Sequence, residues 1–165
     1  MSIAIPTKLD KRLVRQLDRL VQSGLYNSRS EAIRDGIRKV VAESYLSLQK
    51  FHGVLAEMAS ETIVRRFGDL VTDVILYGSV ARGESDPDSD IDLLVLTERN
   101  ASLKVDREII GTLEPISLAS DVVIMPLVMT REMFSRLLEF GYTFAREVVE
   151  HGIQLHGALM DEVRA

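Results

Sequence analysis

The first nine residues alternate between apolar and polar positions. Ile3, Ile5, Thr7 and Leu9 fall on one side, and Ala4, Pro6 and Lys8 on the other. That is the period of a half-buried strand, and Pro6, with no N–H to donate, has to face an open edge. From Asp10 the period lengthens. Leu13, Leu17, Leu20 and Val21 line one helical face, with Asp10 placed to cap the start and Gly24 to stop the end. After Leu25-Tyr26-Asn27, Ser28 or Ser30 can cap a second helix in which Ile33, Ile37, Val40 and Val41 recur at helical spacing. Residues 42–67 keep an approximate helical period through Leu48, Phe51, Leu55, Met58 and Ile63, with a break expected near His52-Gly53. A strand follows at Asp73–Tyr77 and another at Ile91–Leu96. A helix is expected between Ala101 and Leu113, and a third strand at Ser120–Met125, ended by Pro126. Two more helices follow, one at Met129–Phe140 with Thr130 as cap and Met133, Leu137 and Leu138 expected buried, the other capped by Thr143, and then a short strand, Ile153–His156. Alternating strands and helices make this part a small α/β unit with a mixed sheet, so the chain as a whole is of the α+β class.

One stretch in that series carries chemistry. Ile75–Leu96, ILYGSVARGESDPDSDIDLLVL, reads as strand, Gly-Ser turn, short helix, acidic loop and second strand. Asp90 and Asp92 stand two apart at the start of the second strand, so both side chains leave one face. Two carboxylates held together are costly unless a proton or cation compensates them. Beside a Gly-Ser turn and a helix N-terminus, both suited to phosphate, the fitting compensator is Mg²⁺ carrying a nucleotide. Gly78 lets backbone N–H groups approach phosphates and Ser79 can donate its hydroxyl to them. Arg82 is either a phosphate contact or a brace for the acidic loop. Glu84, Asp86 and Asp88 read as solvated loop charges. His52, His151 and His156 have no metal-ligand spacing and read as ordinary surface or core residues.

Composition narrows this picture without redirecting it. The 165 residues suffice for one ordinary domain or two small ones, and a hydrophobic content of 46% with 5% aromatics gives an aliphatic core. A formal charge of −5 argues against a general polyanion binder, though not against a local basic patch. The absence of cysteine excludes disulfides and thiolate metal sites. No apolar run approaches the ~18 residues of a membrane span, and Met1-Ser-Ile-Ala-Ile-Pro does not read as a signal peptide. A cytoplasmic protein with no membrane association is the expectation.

The pattern GSxARG followed by SDIDLLV closely resembles the signature of the DNA polymerase β-like nucleotidyltransferases, in particular their minimal single-domain members. The resemblance implies a pair of carboxylates on one strand, matched by Asp90 and Asp92, and a third on a neighbouring strand, best matched by Asp121 in SDVVIM. It further implies two Mg²⁺ ions on these three residues, ATP as substrate, and Asp121 as the group that accepts a proton or orients the acceptor. Many minimal members act as antitoxins that transfer AMP onto a tyrosine of a HEPN-family toxin, and the resemblance implies such a partner here.

The N-terminal segment resembles the ribbon-helix-helix DNA-binding family, through its alternating strand, LDKRLVRQLDRLV, and above all YNSRSEAIRDGIRKVV. That resemblance implies a homodimer joined through paired N-terminal strands. It puts Ala4, Pro6 and Lys8 toward the DNA groove and Asn27, Ser28 and Arg29 near phosphates. Of the three ribbon positions only Lys8 can hydrogen-bond a base edge. The expected organisation is residues 1–45 as the ribbon-helix-helix domain, 46–54 as a helical linker and 55–165 as the nucleotidyltransferase domain. Two functions follow. One is a Mg²⁺-dependent antitoxin enzyme that autorepresses its operon by binding operator DNA. The other is a dimeric DNA-binding regulator whose second domain binds nucleotide or partner without turnover.

Overall fold

The computed structural model describes residues 8–99 and 103–165. Contacts divide the chain into two compact units, Met1–Ser44 and Tyr45–Ala165. The expected strand at residues 2–9, with Ala4 and Pro6, falls almost wholly outside the described residues.

In the first unit, helix α1 (Lys11–Gln22) starts where the sequence places it. Asp10 accepts the backbone N–H groups of Arg12 at 2.7 Å and Leu13 at 2.8 Å, the N-cap geometry that satisfies helix donors otherwise left orphaned. Gly24 at φ +77° then reverses the chain, a conformation that suits a residue without Cβ. Helix α2 (Arg29–Phe67) opens on Ser28, whose hydroxyl accepts the Glu31 N–H at 3.2 Å. The Glu31 carboxylate reaches back to the Asn27 N–H at 2.8 Å, a variant of the capping box. Arg29 pairs with Asp18 at 2.5 Å, tying the two helices together at their polar edge, and Tyr26 in the connecting turn donates to Asp35 at 2.5 Å. The apolar side stays open. Ala32 is the sole buried residue among those described in this unit, and Leu9, Leu13, Leu17, Ile33, Ile37 and Val40 border an open trough.

The expected break near His52-Gly53 does not occur, and α2 is continuous from Arg29 to Phe67. A mid-helix glycine costs ~1 kcal/mol relative to alanine. Burial of His52, Leu55, Ala56, Ala59 and Ile63 on one face outweighs that cost.

The second unit is a four-stranded mixed sheet in the order β3-β2-β1-β4. Strand β1 (Val71–Tyr77) runs antiparallel to β2 (Ile91–Thr97) and to β4 (Ile153–His156). Strand β3 (Ile124–Thr130) lies parallel to β2 at the edge. Between β1 and β2 sits a single-turn helix, α3 (Gly78–Ala81). Helix α4 (Leu103–Ser120) connects β2 to β3, the crossover that a parallel pair requires. Helices α5 (Arg131–Glu139) and α6 (Thr143–His151) precede β4, and α7 (Leu159–Arg164) follows it.

Strand alternation sorts the core into two layers. Val74, Leu76, Ile91, Leu93 and Val95 pack against α2 and α4. Ile75, Leu94 and Leu96 pack against Phe134, Ala145, Val148 and Met160 on the other face. Asp92, between Ile91 and Leu93, therefore belongs to the second face.

Several expectations are corrected here. Residues 116–120 are helical, because α4 continues through Pro115, and β3 begins at Ile124 rather than Ser120. Pro126 lies inside β3, where an edge strand tolerates its missing N–H. Thr130 does cap α5, accepting from Met133 N at 3.1 Å, but the buried residue of that helix is Phe134, and Met133 is exposed. Thr143 is the first residue of α6 rather than its cap.

Candidate functional site

The Gly-Ser turn and the paired carboxylates meet at one end of β1 and β2. Tyr77, the last residue of β1, is the register partner of Asp92 across the antiparallel pair. The next residue, Gly78, adopts φ +75°, and a Cβ placed there would lie 2.2 Å from Asp92 Oδ2. Glycine is thus required twice, for the left-handed backbone and for the close approach of the carboxylate. The one-turn helix α3 starts at this point without a side-chain cap, so its first N–H groups stay available beside Asp92.

Strand β2 begins at Ile91, so of the expected pair only Asp92 stands on the strand, half-buried, while Asp90 lies exposed at the end of the loop just before it. Burial, and then the charge of Asp90, holds the Asp92 carboxyl above its ordinary value, while Arg82 pulls it back. The Tyr77 hydroxyl is likewise raised, by burial first and then by Asp92. Its ring packs edge-on against Phe144 at 5.3 Å between centroids. A half-buried carboxylate with an incomplete counter-charge is a hard-oxygen donor of the kind that suits a divalent cation such as Mg²⁺.

Arg82 reaches Glu84 at 2.8 Å and Glu147 at 3.9 Å, which makes it a brace for the loop while its charge also acts on Asp92. Asp86 shapes the same loop: its carboxylate accepts the Asp88 N–H at 2.9 Å and the Ser89 hydroxyl at 3.1 Å. Ser79 donates toward Ser89 at 3.4 Å, linking the turn to the loop.

Asp121 is not on a strand. It occupies the turn between α4 and β3 at φ +57°, exposed, two residues before the Val123 carbonyl that accepts the Ile91 N–H. It shares with Asp90 a shallow cleft of about 270 Å³ bordered by Pro87 and Val123. Asp92 does not line that cleft, and no three acidic or histidine side chains among the described residues lie close enough together to hold a metal ion. The structure therefore brings Asp92 to Gly78 and Asp90 to Asp121, but not all three carboxylates to one point.

The DNA-facing candidates are partly engaged elsewhere. The Ser28 hydroxyl caps α2 and Arg29 is paired with Asp18, whereas Lys8 is exposed.

Residues that sequence reading left aside sit beneath the site. Gln49 and His52, on one face of α2, approach the motif loop. His52 is 1% exposed and both its ring nitrogens lack a partner. Burial pushes its imidazole below the ordinary value, with Asp86 acting in the opposite direction. The folded protein thus resists protonation that the unfolded chain accepts. Stability should fall as pH drops below ~6.5, and the full penalty is reached only below the depressed folded value. His52→Leu should flatten that decline in denaturant melts between pH 7 and 5; an unchanged slope would remove His52 as its source.

The nucleotidyltransferase domain family matches residues 57–151. A Methanocaldococcus jannaschii protein named "Putative protein adenylyltransferase MJ0141" is 32% identical over 87 residues, which span 53% of this chain and 81% of that protein. A second from the same organism, "Putative protein adenylyltransferase MJ0604", is 30% identical over 86 residues, 52% of this chain and 79% of that protein. Among solved structures, a toxin-antitoxin with AMP-PNP matches at 21% identity and TM-score 0.47, over 66% of this chain and 78% of that one. A tri-AMPylated Shewanella oneidensis HEPN toxin in complex with MNT antitoxin matches at 18% identity and TM-score 0.40, over the same shares. With the family match spanning more than half of the sequence and including Gly78–Asp92, the chain belongs to the nucleotidyltransferase domain family.

Proposed function

We propose that this protein transfers AMP from ATP to a hydroxyl of another protein. The observation that carries this reading is the Asp92 carboxylate packed against the Gly78 backbone, with the charge of Asp90 close enough to act on it. The names of the two relatives supply the acceptor class.

In this reading the uncapped N–H groups of α3 and the Ser79 hydroxyl hold the phosphates, and Arg82 limits the negative charge around Asp92. Asp90 and Asp92 would hold the Mg²⁺ that accompanies the triphosphate, and Asp121 would supply a third carboxylate from the far wall of the Asp90 cleft. Bound magnesium neutralises triphosphate charge and favours the ionised form of the attacking hydroxyl. The acceptor oxygen forms a new ester bond to the α-phosphorus, pyrophosphate leaves, and the hydroxyl proton passes to Asp121 or to solvent. Resemblance of GSVARG…SDIDLLV to minimal antitoxin members supports a tyrosine of a HEPN-type toxin as that acceptor. The test is incubation with ATP labelled at the α-phosphate, Mg²⁺ and the product of the adjacent gene. Label should enter that partner and should depend on Mg²⁺. A partner that stays unlabelled at full Mg²⁺ would defeat the proposal.

Gly78→Ala is expected to lower transfer roughly hundredfold, since a Cβ would displace the Asp92 carboxylate and a 1 Å misplacement can cost that much. Steady-state kinetics with ATP reads this directly; a loss below fivefold would mean that the close approach is unnecessary.

For the N-terminal unit we propose pairing with a second copy, supported by the open apolar trough around Leu13, Ile37 and Val40 and by the ribbon-helix-helix resemblance. Burial of such a face is what a helix pair of this size needs for stability. DNA binding and autorepression rest on the resemblance alone. Light scattering should give a dimer mass that Ile37→Glu reduces to a monomer. A gel shift with the upstream DNA at stated salt tests the regulatory reading.

A further inference from the structure

We infer that Gln49 is a positioning residue for the nucleotide-binding turn, clamping both α3 and the acidic loop from α2. The inference rests on the nucleotidyltransferase reading of that turn. Gln49 Nε2 donates to the Val80 carbonyl at 2.5 Å, and Gln49 Oε1 accepts the Ser85 hydroxyl at 2.5 Å. A carbonyl can only accept, so the Val80 contact fixes the orientation of the amide, and the Ser85 contact agrees with it. These partners lie 31 and 36 residues further along the chain. Val80 belongs to α3 directly after Gly78-Ser79, and Ser85 opens the loop that returns to Asp90.

The clamp matters because it fixes the backbone of both segments beyond what burial of the Val80 side chain and the Glu84 N–H to Ser79 carbonyl bond at 2.9 Å already hold. A four-residue helix cannot pay its nucleation cost alone. The Val80 carbonyl is otherwise bound by the Gly83 N–H at 3.2 Å, a contact within the same turn that fixes nothing outside it. Ser85 is 3% exposed, so its hydroxyl has no ready replacement from solvent. Beyond Ser85 the chain of contacts continues through the Asp86 N–H, bound to Ser89 Oγ at 2.9 Å, and from Ser89 to Ser79 at 3.4 Å. One side chain from α2 thus anchors a loop whose other end is tied to the phosphate-facing serine. Gln49 itself touches neither carboxylate of the pair.

The test uses the full chain and the variants Gln49→Leu and Ser85→Ala, with melting temperature as the control for folding. Gln49→Leu should raise KM for ATP roughly tenfold, the effect of about one lost hydrogen bond at a phosphate contact, with kcat changed less than threefold. Ser85→Ala should produce part of that rise, and the double variant should be no worse than Gln49→Leu alone. Amide hydrogen exchange across residues 79–89 should quicken in Gln49→Leu while exchange in β1 and β4 stays as in wild type. A KM within twofold of wild type, additive single-variant effects, or unchanged exchange in 79–89 would each overturn the inference. Should wild type itself fail to transfer AMP, the functional reading falls, and exchange in 79–89 alone then decides the positioning role.

Discussion

Asp92→Asn should abolish AMP transfer and yet give a protein at least as stable as wild type at neutral pH. The loss follows from removing one of the two carboxylates proposed to hold the cation: a bound metal would stabilise the transition-state charge by several kcal/mol, on the order of a thousandfold in rate. The gain follows from the cost of keeping two like charges side by side. Asp92 is half-buried, and the exposed Asp90 lies close enough for its charge to act on it. The folded Asp92 carboxyl titrates above the unfolded value of 3.8, for reasons of burial first and Asp90 second. Stability contributed by such a group is whole below the unfolded value and is lost as pH rises through the raised folded one. At pH 7 the ionised pair is therefore a net cost, which the isosteric amide removes. The melting temperature of Asp92→Asn should lie about 1–3 °C above wild type in the absence of Mg²⁺, a stabilisation of under ~1 kcal/mol. That margin should vanish near pH 3.8. Adding Mg²⁺ should raise the wild-type melting temperature and leave the variant unmoved. Asp90→Asn, at an exposed position, should lose as much activity with a smaller gain in stability. Equal labelling by wild type and Asp92→Asn, or a wild-type melt indifferent to Mg²⁺, would refute the assignment of the pair.

The contrast between Asp92 and other residues of the site shows what kind of information the sequence carries. Ile75–Leu96 was legible because its signals are local: strand period, a Gly-Ser turn, and two carboxylates at strand spacing, all within one hairpin. The helix starts at Asp10 and Ser28 were legible for the same reason, since a cap is satisfied two or three residues away. Proline misled. Pro126 reads as a strand terminator, and is one except on an edge, and nothing near it reveals that β3 is the edge strand. The helix expected to end at Leu113 runs on through Pro115 to Ser120, with Ile109 and Leu113 packed into the core. The displaced β3 is also why Asp121 reads as a strand residue but stands in a turn. Gln49 and Ser85 were silent because their roles are set by partners more than 30 residues away. The two units differ in the same way. The apolar stripe of α1 and the start of α2 is legible in the sequence, but what covers it lies in no local signal.

Asp73 supplies the largest expected effect on stability, and its position in the apolar run DVILY gives no hint of it. Its carboxylate is 1% exposed. Oδ1 accepts the Leu159 N–H at 2.9 Å, the Ala158 N–H at 3.1 Å and the Gln154 amide at 3.4 Å, while Oδ2 faces Arg131 Nε at 3.6 Å. Gly157, at φ +85°, makes this approach possible, for a Cβ there would lie 2.3 Å from Asp73 Oδ1 and 2.4 Å from the Thr72 carbonyl. The segment after β4 is thus held to β1 by one buried charge, with Arg131 extending the link to Glu162 at 2.7 Å. Hydrogen bonds to a charged group contribute ~1.5–3 kcal/mol each, and donors stranded in the interior cost more than exposed ones. Asp73→Ala leaves two backbone N–H groups and a guanidinium without their acceptor, so a loss of about 3–4 kcal/mol is expected. In a chain of 165 residues that corresponds to a fall of roughly 6–14 °C in melting temperature. Asp73→Asn keeps an acceptor oxygen and forfeits the charge, so it should cost about half as much. Glu162→Gln, which breaks only the exposed arm, should cost under ~0.5 kcal/mol. Asp73 lies at the far end of β1 from Tyr77. Well below its melting temperature, Asp73→Asn should therefore keep kcat and KM for ATP within about twofold of wild type, the additivity expected of sites without shared partners. Thermal melts and kinetics on the three variants separate these effects. An Asp73→Ala protein melting within 2 °C of wild type would mean that the carboxylate does not anchor the C-terminal segment.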